Sequence, residues 1–76
     1  MKIDDLLAYA EARLDMDGYD VTGDSVDYFF SGPENTFVTF EWSVFPGFVI
    51  QLELNRADGD VTEGPKLVRE DSEEQA

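Results

Sequence analysis

The residues of this chain that can do chemistry are carboxylates. Ten Asp and eight Glu stand against two Lys and three Arg, and the chain has no His and no Cys. Carboxylates can work as an acid–base pair, hold a hard cation, or present negative charge to a basic partner. Acid–base catalysis also requires a nucleophile with its base, an Arg clamp or a phosphate loop. None of these constellations can be read along the 76 residues, so an enzyme is not expected. The run Asp15-Met16-Asp17-Gly18-Tyr19-Asp20, followed by Asp24, has the look of a calcium loop. Aligned on Gly18, such a loop needs an acid where Arg13 stands and a Glu where Asp24 stands. The match fails, a helix end in an acidic loop explains the same residues, and no metal or other cofactor is expected. Without Cys or His, disulfides, zinc and haem are also set aside as staples for a chain this small.

That leaves charge as the property to explain. The formal net charge is −13. Setting aside the four acids from Glu70 onward leaves 14 acids against five bases, or −9, so the acidity belongs to the body of the chain. Between Arg13 and Arg56 there is no base, while Asp15, Asp17, Asp20, Asp24, Asp27, Glu34, Glu41 and Glu53 fall in that interval. A surface of this kind repels nucleic acid and anionic membranes and draws basic proteins by long-range steering.

The elements that must position these carboxylates follow from hydrophobic period. Ile3, Leu6, Leu7, Ala10 and Leu14 recur at helical spacing, which predicts an amphipathic helix of about four turns. Asp4 is the expected N-cap, Asp5 complements the dipole, and Gly18 suits the position that ends the helix. Asp15 and Asp17 then sit at the negative end of the dipole, at a cost of about 0.3–1 kcal/mol each. From Phe37 to Asn55 the pattern changes to alternation. Val38, Phe40, Trp42 and Val44 are interleaved with polar residues, and so are Phe48, Ile50, Leu52 and Leu54 after Pro46-Gly47, which reads as a hairpin. Ser25–Ser31 alternates Val26, Tyr28 and Phe30 with Asp27 and Phe29 and reads as a third strand. The expected register sets Phe30 opposite Val38, Tyr28 opposite Phe40 and Val26 opposite Trp42, with all six on the core face. At the hairpin, keeping both apolar sets inside sets Val44 opposite Phe48 and requires a bulge or three-residue loop at Phe45–Gly47. Val61–Glu63 is read as a short fourth strand, Gly64-Pro65 as a break, and Lys66–Arg69 as a last edge strand with Leu67 or Val68 tucked in. The fold class is therefore α+β, one N-terminal helix packed on a three- to four-stranded antiparallel sheet. Residues 1–69 are expected to form one domain and 70–76 a disordered acidic tail.

The register has a consequence for the wet face. Asp27 falls opposite Glu41, and Glu41 opposite Gln51 with Glu53 diagonal to it. Like charges across strands conflict. On a sheet grid of about 4.8 Å between strands and about 6.6–7 Å between same-face residues, carboxylates have spacings comparable to nucleic-acid phosphates. Phe29 and Val49 lie among them and offer buried area to a partner. An ordinary solvated face, with Phe37 and Phe45 wrapping the core edge, accounts for the same pattern.

In size, charge and architecture the whole chain resembles small acidic phage-encoded inhibitors that mimic nucleic acid: anti-CRISPR proteins, anti-restriction proteins and uracil-DNA glycosylase inhibitors. Colicin-type nuclease immunity proteins are similar in size and charge. No motif carries the resemblance, so no site residue transfers from it. It implies a mechanism in which carboxylates occupy the phosphate track of a basic nucleic-acid-binding protein or effector complex and exclude its substrate. From the residues themselves, the contacts would be Asp15, Asp17, Asp20, Asp24, Asp27, Phe29, Glu41 and Glu53. Two other accounts remain open. An excess of Asp and Glu with few Lys and no Cys is also the composition of proteins from a high-salt cytoplasm, where charge reports habitat. A small accessory subunit that adds an edge strand to a larger partner is the third. Acids within the first five residues and an uncharged run of only 11 residues, Trp42–Leu52, argue against a secretory signal or a membrane span. The expected location is the cytoplasm, that of a host cell under the phage resemblance, with no membrane or direct nucleic-acid contact.

Overall fold

The computed structural model describes residues 1–69. The acidic stretch from Glu70, expected to be a disordered tail, lies outside the described residues. Helix α1 spans Ile3–Met16 and is followed by the strands β1 (Ser25–Ser31), β2 (Phe37–Phe45), β3 (Phe48–Asn55) and β4 (Val61–Arg69). The strands form one antiparallel sheet in the order β1-β2-β3-β4, with the helix on one face, so the fold is α+β.

The helix stripe reads as the period predicts. Leu6, Ala10 and Leu14 are buried, and they meet Val38, Phe40 and Trp42 of β2 and Ile50, Leu52 and Leu54 of β3. Phe40 and Trp42 are each 1% exposed, with ring centroids 5.9 Å apart. At about 25 cal/mol per Å2, each such aromatic contributes roughly 4–6 kcal/mol of burial. That is how a core this small holds without covalent staples. Trp42 Nε1 is buried with no hydrogen-bond partner, a cost of about 1–3 kcal/mol that the surrounding apolar contacts offset.

The helix ends differ from expectation at one end only. Lys2, not Asp4, is the N-cap, with its carbonyl accepting from Leu6 N at 3.0 Å and its side chain giving no cap. Asp4 and Asp5 lie in the first turn, where they favour the positive end of the dipole. At the other end Gly18 takes φ +89°. The Tyr19 amide donates to Leu14 O at 2.9 Å and the Gly18 amide to Asp15 O at 3.1 Å, the paired bonds of a Schellman ending. Tyr19 packs against the core beyond Leu14.

The register β1 to β2 is as expected: Val26 faces Trp42, Tyr28 faces Phe40 and Phe30 faces Val38. So is most of the hairpin, with Trp42 opposite Ile50, Phe40 opposite Leu52 and Val38 opposite Leu54. Its tip is a correction. Phe45, not Val44, faces Phe48 across a two-residue Pro46-Gly47 turn, and the extra residue sits between Ser43 and Phe45. A bulge at Val44 thus restores the inward phase that a longer loop would otherwise supply.

A second correction concerns Gly64-Pro65, which does not break the chain into two short strands. β4 is continuous from Val61 to Arg69 with its register to β3 shifted on either side of Glu53. Proline is tolerated because β4 is an edge strand and needs no outward N–H. Gly64 has φ +95°, and a Cβ there would lie 2.7 Å from Gln51 O, so only glycine admits this approach. Leu67, at the outer margin of the helix side, is 52% exposed, whereas Val68 is half-buried opposite Val49 on the other face.

Candidate functional site

Alternation divides the sheet into a helix side and an open face. On the open face the pairings build two rows across all four strands. The first runs Asp27, Glu41, Gln51, Lys66, and the second Phe29, Thr39, Glu53, Glu63. Four of the eight sequence-predicted contacts, Asp27, Phe29, Glu41 and Glu53, are therefore brought onto one surface. Its carboxylates are tied by neutral groups: Gln51 Nε2 donates to Glu41 Oε2 at 2.5 Å, and Thr62 Oγ1 donates to Glu53 Oε1 at 2.7 Å. Neutral partners fix the orientation of a carboxylate and leave its charge in place. Phe29 is 46% exposed beside them. Thr39, flanked by Phe29 and Glu53, and Val49, flanked by Val68, are buried even though no described helix covers this face. A depression of about 160 Å3 opens over Thr39, bounded by Phe29, Gln51, Glu53, Glu63 and Lys66.

Glu63 and Lys66 are the members of this face that sequence reasoning missed. They stand at positions of opposite parity, and only the irregularity at Gly64-Pro65 turns both to the open side. Lys66 Nζ pairs with Glu63 at 2.9 Å. Four acids (Asp27, Glu41, Glu53, Glu63) against one base leave this surface at −3.

The other predicted contacts gather elsewhere. Asp15, Asp20 and Asp24, joined by Glu11, border a surface depression beside Tyr19–Asp24, where the helix end meets the loop into β1. Asp20 accepts from the Thr22 amide at 3.0 Å. That bond, and a further one from the Thr22 side chain, hold its carboxyl below the ordinary carboxylate value. Asp17, at the helix C-cap, pairs with Arg13 Nε at 3.3 Å, which offsets part of its unfavourable position on the dipole. Among the described residues no group of three or more His, Cys, Asp or Glu is arranged to hold a metal ion. No described helix is long and apolar enough to cross a membrane.

The bases are largely engaged within the chain. Besides Arg13 and Lys66, the Arg56 guanidinium lies 4.4 Å from the Phe30 ring centroid and donates to Asn35 O at 2.8 Å. On the open face Glu63 is paired with Lys66, and no ion pair is seen for Asp27, Glu41 or Glu53 among the described residues. Comparison of the chain with known protein families, with curated proteins and with solved structures finds no match.

Proposed function

We propose that this protein is a non-enzymatic inhibitor that binds a basic nucleic-acid-binding protein and fills its nucleic-acid site with carboxylates. The observation that carries the reading is the Asp27–Glu41 pair with Glu53 diagonal to it, held in register on a sheet face that no described helix covers. Like charges facing each other across strands oppose folding, so their presence calls for a compensating use. A phosphate track, lined by Lys and Arg to neutralise charges at similar spacing, supplies one. Phe29 adds exposed apolar area at the β1 margin of this face, and the net charge steers approach. The experiment is affinity capture from nuclease-treated lysate of the native host, washed across a salt series. Recovery of one basic nucleic-acid enzyme that added DNA or RNA displaces is the expected result. Recovery of a neutral partner indifferent to salt and nucleic acid refutes the reading.

One observation favours a second reading, that of a protein adapted to high salt. Acids are spread over the helix (Asp4, Asp5, Glu11), the loop before β1 and the β3–β4 turn (Asp58, Asp60), beyond any single face. Such a protein loses structure in dilute buffer and regains it in molar salt. An inhibitor of an ordinary cytosolic enzyme is folded in both.

A further inference from the structure

The two edges of the sheet are built differently. β4 is blunted as edge strands usually are: it contains Gly64-Pro65, a register shifted twice, and Lys66. β1 has none of these devices. Its seven residues pair with β2 without a shift, it contains no Pro, Gly or base, and Asp27 is its single charge. It carries three consecutive exposed aromatics, Tyr28 at 50%, Phe29 at 46% and Phe30 at 40%. The reason they remain uncovered is geometric. The helix stripe packs over the central strands β2 and β3, so Tyr28 and Phe30 on the helix side lie beyond its margin, with Arg56 over part of Phe30. Phe29 lies on the open face, which no described helix covers. Tyr28 contacts Phe40 and Phe30, with centroids 5.9 and 5.6 Å apart, so the apolar layer continues outward from the core to an open edge.

We infer that the β1 edge accepts a fifth strand from a basic partner, an extended segment with aliphatic residues on one face and Lys or Arg on the other. The rows dictate this pattern. On the helix side a fifth strand would continue Val26–Trp42–Ile50, Tyr28–Phe40–Leu52 and Phe30–Val38–Leu54, all apolar. On the open side it would continue the Asp27–Glu41 row, where a cation meets one carboxylate directly and a second one strand further in. Phe29 beside that row offers its ring to the same cation, and Arg56 over Phe30 shows this chain already using such a contact. Charge decides between occupants. A second copy paired through its own β1 would bring another −13 to the edge and set no base beside Asp27, and its β4 is the edge blunted against pairing. A basic strand, by contrast, is complementary along the whole open side. The inference rests on the basic partner proposed above and adds how that partner is held.

The test uses the full chain, isotopically labelled, and a capped heptapeptide of alternating Val and Lys as probe. Amide hydrogen exchange should slow by about tenfold or more at alternate residues of 25–31, because the other amides of β1 already face β2. A peptide of equal charge, N-methylated at every second residue, should give no protection. Phe29→Ser should weaken probe binding about fivefold, and Leu67→Ser at the opposite edge should leave it unchanged. Equal binding of the N-methylated peptide, or protection confined to the loop or to β4, overturns the inference. So does concentration-dependent protection of 25–31 without peptide, which assigns the edge to a second copy. Loss of the edge signal while a basic target is still captured sinks the fifth strand and spares the inhibitor reading.

Discussion

Replacing Asp27 by Lys should make the protein more stable and a worse inhibitor. Asp27 faces Glu41 across β1 and β2, and Gln51 supplies Glu41 with a hydrogen bond but no charge. Two such charges about 6 Å apart repel by about 0.7 kcal/mol in water. Screening at physiological salt, with a Debye length of about 8 Å, reduces this to about 0.3 kcal/mol. Reversal turns repulsion into attraction of similar size, a swing of about 0.7 kcal/mol, within the range measured for cross-strand pairs. For a chain of this length the swing raises the melting temperature by about 3–5 °C. The assay is thermal unfolding of wild type and Asp27→Lys at low, physiological and molar salt. At 1 M, where the Debye length is about 3 Å, the gain should shrink to about 1 °C. In parallel, Asp27→Lys combined with Glu53→Lys should abolish inhibition of the captured target. A variant that is less stable, or whose gain ignores salt, refutes the repulsion argument. A stable double reversal that still inhibits fully removes the open face from the mechanism.

Other expectations concern the scaffold. Leu52→Ala, at a site 1% exposed beneath the helix, should cost about 2–5 kcal/mol in urea unfolding. Trp42→Phe should cost less than that, because the smaller ring leaves no buried N–H without an acceptor. Gly64→Ala should destabilise more than Gly18→Ala. Both have positive φ, but only the former drives a Cβ to 2.7 Å from a backbone oxygen. For Asp20, whose carboxyl is held below its usual value of 3.8 by Thr22, the bound anion contributes stability above that value. The contribution is lost as pH falls through the lower folded value. Asp20→Asn should therefore be less stable than wild type at neutral pH, and the two curves should converge at the acid end of the titration.

Most of the fold could be read from the sequence because two periods coexist in it without conflict. The stripe Leu6, Ala10, Leu14 fixes which side of the helix is buried, and alternation in β2 and β3 fixes which side of the sheet receives it. The registers followed because a slip by one would expose Phe40 and Trp42. What escaped were places where the backbone departs from its period. The need for a bulge or longer loop at the hairpin is legible, but not its seat at Val44, and Gly64-Pro65 reads as a break rather than as a phase shift within one continuous strand. For the same reason Glu63 and Lys66 could not be assigned to the open face, although this acid and base cancel and leave its charge at −3. Asp15, Asp17, Asp20 and Asp24 looked like one group with Asp27 by proximity in sequence. The helix end and the loop separate them from the sheet face, and a salt bridge to Arg13 occupies Asp17.

The central claim is that this protein competes with nucleic acid for a basic site. The most direct test is the dependence of inhibition on nucleic-acid concentration, measured with the captured target at fixed ionic strength. Competition predicts that the apparent inhibition constant rises in proportion to added DNA or RNA and that the Asp27→Lys, Glu53→Lys variant does not inhibit. An inhibition constant unchanged by nucleic acid, with the variant as potent as wild type, would contradict it.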